Sequence, residues 1–457
     1  MMSQNRPNVI YVFADQWRAQ DTGYAGNRQV RTPYLDRLAA QSVNFTHAVA
    51  GIPVCCPARA CLLTGQHALT HGVFVNDVHL ADDAVSMAKL YKAAGYDTAY
   101  VGKWHVDGRG RSNYIPPESR QGFDYFKALE CTHDYNNSKY YAGDSDQPLT
   151  WEGYDAVEQT RDVQAFLRSR VHKDGDGKSD NPFLLVLSWG PPHAPYETAP
   201  EAYRQLYSPH DIELRPNVPP EMANEAREWI AGYYAHCTAL DDCLGALLQT
   251  IAEVGLADNT IFVFTSDHGD MLGSQGQVKK QRPWEESIRV PFLLRWPRRF
   301  GLQGREIEAL LDTPDILPTL LSLCDIPIPD TVEGKDFSAA IEGGPDPSGG
   351  AALIYCPHPF GQFLRRDGGR EYRGLRTRTH TYARDLDGPW LLYDNETDPF
   401  QMQNLVGRPE VESLQAELES QLQAKLSDRG DQFLPGEKYI EGWGYPLDES
   451  GTVPFSW

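Results

Sequence analysis

The sequence predicts an α/β fold: a mostly parallel central sheet with helices on both faces, followed by a smaller C-terminal α+β part with a short antiparallel sheet. Three observations carry this. Asn8–Ala14 (NVIYVFA), Phe183–Trp189 (FLLVLSW) and Thr260–Thr265 (TIFVFT) are short, nearly continuous apolar runs, as strands buried on both faces are. Helical patterns separate them, as crossovers between parallel strands require. At Glu342–Gly350 (EGGPDPSGG) the composition turns to Gly, Pro, Asp and Ser, which marks a boundary between a main domain, 1–345, and a C-terminal one, 346–457.

The elements follow in order. Asn8–Ala14 forms the first strand. Thr32 is placed to N-cap a helix with Pro33 at its first position and Leu35, Leu38 and Ala39 on one face. Met87–Ala94 reads as a helix stopped by Gly95, and Thr98–Val101 as the next strand. After the strand Phe183–Trp189 comes a long helix, roughly Pro220–Val254, with Trp229, Tyr233, Leu240, Leu244 and Leu247 at helical spacing. Thr260–Thr265 and Val290–Trp296 are further strands. Beyond the boundary, Tyr372–Arg384 alternates like a one-sided antiparallel strand, and Pro409–Leu426 reads as an amphipathic helix. The tail from Asp428 to Trp457 has no clear periodicity.

Composition excludes several functions. Among 457 residues, 42 Lys and Arg face 63 Asp and Glu, a net charge of −21. Such a chain does not bind nucleic acid or anionic membranes non-specifically. No run approaches the ~18–20 apolar residues of a membrane span. The N-terminal apolar run is broken by Asp15 and lacks a small-residue cleavage site, so a cytoplasmic protein is expected. Eight scattered cysteines, without paired CxxC spacings, form neither a disulfide framework nor a zinc site.

The chemistry sits where strands end. Four strands run into polar clusters: Asp15-Gln16, Lys103-Trp104-His105, Pro191-Pro192-His193 and Asp267-His268-Gly269. In a parallel sheet all four fall on the carboxyl edge, where ligands bind. Asp15, Gln16, Asp267 and His268 offer two carboxylates, an amide oxygen and an imidazole, a donor set for Ca²⁺, Mg²⁺ or Mn²⁺. Lys103, His105, His193 and Arg59 are local positive groups suited to a tetrahedral oxyanion such as sulfate or phosphate. A fifth cluster, Cys55-Cys56-Pro57-Ala58-Arg59, is followed by ACLLTG. Pro57 can open a helix and Gly65 close it, which puts Cys55 at a helix N-terminus where an anion is stabilised.

Cys55-x-Pro57-x-Arg59 with Leu63-Thr64-Gly65 resembles the sulfatase signature, and only Cys55 has Pro and Arg at the required offsets. The other clusters resemble the family's segments in order: Asp15-Gln16, Gly102-Lys103-Trp104-His105, Pro192-His193-Ala194-Pro195, Ser266-Asp267-His268-Gly269, and Lys280 ahead of Arg289-Val290-Pro291. Leu392-Tyr393-Asp394 through Leu405 resembles the family's C-terminal segment. The resemblance implies an alkaline phosphatase-like fold and hydrolysis of sulfate esters. It implies that a maturation enzyme converts Cys55 to formylglycine, which binds the metal with Asp15, Gln16, Asp267 and His268. Lys103, Lys280 and Arg59 would hold the sulfuryl oxygens and the nucleophile. Asp267 would take the nucleophile's proton, His193 would protonate the leaving alcohol, and His105 would assist sulfate release.

Asp-Gln and Asp-His depart from the Asp-Asp and Asp-Asn pairs of many sulfatases and also occur in related phosphonate and phosphodiester hydrolases. That reaction is the alternative, and a silent anion- or glycan-binding homologue is a second. A sulfated sugar is the expected substrate. The loops Asn76–His79, Asp107–Arg111 and His133–Tyr135 are placed to line its pocket, with His133 and Arg109 as contacts to a further substrate group.

Overall fold

The computed structural model describes residues 6–170 and 181–457. Fourteen strands are present among them: β1 (Asn8–Asp15), β2 (Val43–Phe45), β3 (Asp97–Lys103), β4 (Tyr125–Leu129), β5 (Asn137–Ala142), β6 (Leu149–Glu152), β7 (Phe183–Pro192), β8 (Thr260–Ser266), β9 (Phe292–Arg295), β10 (Arg305–Ile307), β11 (Ala351–Cys356), β12 (Tyr372–Thr377), β13 (His380–Asp385) and β14 (Gly388–Asp394). The first ten make one sheet in the order β10-β2-β9-β8-β1-β7-β3-β4-β5-β6, and the last four a separate antiparallel sheet. Strands β8, β1, β7, β3 and β4 are mutually parallel, whereas β5 and β9 run against their neighbours. The fold is thus the mostly parallel α/β class with a second, antiparallel sheet.

Alternation along the strands explains why both faces are covered. Val9, Tyr11 and Phe13 of β1 enter one apolar cluster, while Ile10, Val12 and Ala14 enter another on the opposite face. On the second face pack the helices Asp155–Ser169 and Ala223–Glu253, on the first Cys55–Thr64 and Ile316–Leu323. Burying each large apolar side chain contributes roughly 1.5–3 kcal/mol. The first cluster continues through Leu353, Tyr355, Leu375 and Tyr382 into Leu418, Leu422 and Leu426 of the helix Glu412–Asp428. No helix among the described residues is long and apolar enough to cross a membrane.

Three local expectations are corrected. Thr32 precedes the helix Pro33–Ala39 but makes no side-chain cap; its hydroxyl accepts from Gly23 N and donates to Asp36. Tyr372–Arg384 is a hairpin of β12 and β13 instead of one strand, turning at Arg378-Thr379. The strand within Val290–Trp296 exists but is antiparallel to β8, because the segment joining them carries only the short helical turns Ser274–Gly276 and Glu285–Ile288 and no crossover helix.

Candidate active site

The five parallel strands bring the polar clusters to one sheet edge. β1 ends at Asp15, β3 at Lys103, β7 at Pro192 just before His193, and Asp267 follows β8. Gly102 sits at φ 109°, and a Cβ there would run into the Ser188 carbonyl, so only glycine lets β3 lie this close to β7. Trp104 anchors the segment in an aromatic cluster, its ring centroid 4.8 Å from Tyr100 and 5.3 Å from Phe126.

Opposite this edge lies the helix Cys55–Thr64, all ten of whose residues are buried. Gly65 ends it in the left-handed region, its N–H bonded to Cys61 O at 2.8 Å. Cys55 is the first residue, so its side chain meets the sheet edge at the positive end of the helix. The Cys55 Sγ lies 3.6 Å from Asp15 Oδ1 and 3.2 Å from His268 Nε2.

Arg59, four residues on, shares that face of the helix. Its Nη2 donates to Asp15 Oδ2 at 3.2 Å and to Asp267 Oδ2 at 3.0 Å. Its Nη1 donates to Lys103 O at 2.8 Å and to Ser188 Oγ at 2.7 Å. Arg59 therefore fastens β1, β3, β7 and the end of β8 from beneath, and it is not among the residues lining the cavity above.

The donor set fits a divalent cation. One ligand atom each from Asp15, Cys55, Asp267 and His268 lies within 4.8 Å of the others. His268 Nδ1 is directed at the Gly269 carbonyl at 2.9 Å, so in the neutral ring Nε2 carries a lone pair. That lone pair faces Asp15 Oδ1 at 3.5 Å and Asp267 Oδ1 at 3.6 Å. Against burial, Asp267 and Cys55 raise the His268 imidazole; positive charge is favoured between these groups, and a cation would supply it. Gln16, in left-handed backbone at φ 78°, donates its amide to Asp270 and, at 3.4 Å, to Tyr196 Oη, while its Oε1 accepts from Lys280 Nζ at 2.8 Å. These partners fix which way the amide points.

The electrostatics follow from this crowding. Burial and Asp15 push the Cys55 thiol up, but Lys103, Lys280 and His268 outweigh them and hold it well below the ordinary thiol value. Burial and Asp15 raise the Asp267 carboxyl. Burial and Lys280 hold His193 well below the ordinary imidazole value. Its Nδ1 lies 2.7 Å from Ala194 O, and its Nε2 faces Lys280 Nζ at 2.6 Å, so Nε2 accepts from the ammonium. Lys103 Nζ meets Asp15 Oδ2 at 2.6 Å.

A cavity of about 360 Å³ opens over this cluster, within the range of small-molecule sites. Cys55, Lys103, His105, His133, His193 and Lys280 line it, as the sequence suggests. His133 stacks on His193, ring centroids 5.0 Å apart. His105 is buried against Cys56 and Cys131, 3.6 Å from Asp77, with no contact to Cys55 among its described partners. Arg109 does not line the cavity; Asp107 and Ser119 hold it outward, and Arg111, two residues on, takes the inner place. Sequence reasoning also missed Cys131, Tyr196, Lys279, Asp270, Gln362, Thr452 and Phe455. Asp270 lies three residues past Asp267, in the same strand-end segment, and could have been read there; the tail residues carry no comparable signal.

A parallel sheet with this clustered edge, facing a helix N-terminus, is the architecture of the alkaline phosphatase superfamily. Residues 7–326 match the family model described as Sulfatase, and residues 273–428 that of the N-sulphoglucosamine sulphohydrolase C-terminal region. An ulvan-active sulfatase of Formosa agariphila is 46% identical, over 98% of this chain and 87% of its own. An endo-4-O-sulfatase of Bacteroides thetaiotaomicron is 30% identical, over 87% and 88% respectively. A solved structure from a glycosaminoglycan-metabolising locus of the same bacterium superposes with a TM-score of 0.84 at 28% identity, covering 96% of this chain and 99% of its own. The chain belongs to the sulfatase family, the sulfuric ester hydrolases.

Proposed function

We propose that this sulfatase hydrolyses sulfate monoesters on a carbohydrate, using formylglycine made from Cys55 by a maturation enzyme and one divalent cation, Ca²⁺ before Mg²⁺ or Mn²⁺. The observation that supports this best is the meeting of the Cys55 side chain with Asp15, Asp267 and His268 at the floor of the cavity. The names of the relatives, an ulvan-active sulfatase and an endo-4-O-sulfatase, support the carbohydrate.

Asp15, Gln16, Asp267, His268 and the side chain at 55 would hold the cation, which supplies a Lewis acid for the attacking and sulfuryl oxygens. The aldehyde supplies an oxygen nucleophile and a release route that a cysteine ester lacks. Lys103 and Lys280, both on the cavity wall, bind the sulfuryl oxygens. Lys280 now donates to Gln16 and His193, and a bound sulfate takes over those N–H groups. His193 then loses its cationic neighbour's full effect and gains an anionic one, so its Nε2 is protonated when the ester is in place and hands that proton to the leaving alcohol. Arg59 acts through others: it orients both carboxylates and never touches substrate. His105 stands on the cavity wall, where, against burial, Cys56 and Cys131 hold its imidazole well above the ordinary value, so its part in the release step is to stabilise, as a cation, the departing sulfate.

The test is a kinetic comparison on the matured, metal-loaded enzyme. Sulfated sugars and aryl sulfate are expected to exceed aryl phosphonate and phosphodiester in kcat/KM by about 100-fold or more; all carry one negative charge, but the phosphorus esters put a carbon or a second ester group where sulfate has a free oxygen, which leaves a donor of the site unpaired. A reversed order would assign the protein to phosphonate or phosphodiester hydrolysis instead.

A further inference from the structure

The scissile sulfate does not use all the hydrogen-bond donors of the cavity. Lys103 is paired with Asp15, and Lys280 is engaged by Gln16 and His193. Arg111 is spent as well: Nε and Nη2 bind both oxygens of Asp77 at 2.9 and 2.8 Å, and its planar group is covered by Phe455 at 3.5 Å and Trp457 at 4.9 Å. Two donors remain. The ammonium of Lys279 lines the cavity, half-buried, with no hydrogen bond or ion pair to another described residue. The side-chain amide nitrogen of Gln362, on the same cavity, is buried without an acceptor.

These two are built into the wall. Lys279 is held in left-handed backbone at φ 60°, with its carbonyl fixed by Met271 N at 2.7 Å. A lysine in that conformation is uncommon and costs free energy that the fold maintains at this point. The two segments are tied together: Gln281 Nε2 donates to Phe360 O at 3.0 Å, and Arg282 Nη2 to Gln362 O at 2.6 Å. In a chain of net charge −21, an unpaired cation and an unpaired N–H on one cavity wall are complementary to an anion.

We propose that Lys279 and Gln362 form a second anion subsite, which binds a carboxylate or a second sulfate group carried on the same saccharide as the scissile ester. This rests on the sulfated-sugar reading above and adds what else that sugar must carry. The exposed ring of Phe455, 44% accessible, lines the same cavity, and Trp457 lies beside it, its ring centroid 5.3 Å from that of the cavity residue His133; both offer apolar surface to the sugar.

The test compares kcat/KM for 4-nitrophenyl sulfate, a neutral hexose monosulfate, a monosulfated disaccharide containing a hexuronate, and a hexose disulfate. Wild type is expected to prefer one of the last two. In Lys279→Gln the ratio of that substrate to 4-nitrophenyl sulfate is expected to fall by about 10- to 100-fold, the effect of losing one charge-assisted hydrogen bond. Gln362→Ala should lower the same ratio in the same direction. Which of the two substrates responds tells carboxylate from sulfate. Equal losses on all four substrates would put Lys279 on the scissile sulfate and overturn the subsite, as would an unchanged ratio. A wild type that cleaves 4-nitrophenyl sulfate and no sugar sulfate would instead remove the carbohydrate reading, and the subsite with it.

Discussion

Cys55→Ala is expected to abolish sulfate-ester hydrolysis, by a factor of about 10⁴–10⁶, as loss of an enzyme's nucleophile does, while leaving the protein folded. The side chain is small and buried at a helix N-terminus, so its truncation costs no more than roughly 1–2 kcal/mol. Turnover by purified matured enzyme and thermal unfolding followed by circular dichroism measure the two halves separately. Undiminished turnover in the folded variant would reject Cys55 as the source of the nucleophile.

Arg59→Met is expected to have the largest effect on stability. The guanidinium is buried and bridges Asp15 and Asp267, two carboxylates that otherwise face one another across the site. Removing one partner from a buried charged network leaves the other charges uncompensated, at about 3–5 kcal/mol. The loss should be greatest in chelator and partly recovered on adding Ca²⁺, because a cation bound to the carboxylates restores the missing positive charge. Denaturant unfolding with and without Ca²⁺ reads this directly. A variant as stable as wild type in chelator would mean that Arg59 does not hold the carboxylates together.

How much of this was legible in the sequence depended on where each residue lies relative to a strand. Asp15, Lys103, His193 and Asp267 directly follow long apolar runs, and parallel strands send everything that follows them to one edge. The central strands were readable because they are apolar on both faces. Strands β5 and β6 were not: their partly polar, partly exposed residues (NSKYYA and LTWE) carry no buried pattern. The reversed direction of β9 depends on the shape of a loop, which periodicity does not encode.

Within the site the same distinction holds. Of the loops expected at the pocket, Asn76 and Asp77 of one and Arg111 of another line the cavity, whereas Arg109 does not. In an irregular loop no repeat says which of two arginines points inward; Asp77, which recruits Arg111, lies more than thirty residues away. Arg59 was expected to hold sulfuryl oxygens, whereas its position one helical turn inside the protein gives it the carboxylates instead. Thr452 and Phe455 reach the cavity through the whole tertiary fold, and nothing local in the tail announces it.

Mass spectrometry of the peptide containing Cys55, from protein made alongside its maturation enzyme, tests the account most directly when turnover is measured on the same samples. Conversion of the thiol to an aldehyde at that position is expected, with specific activity rising in proportion to the converted fraction. Full activity in protein whose Cys55 remains an intact thiol would contradict it.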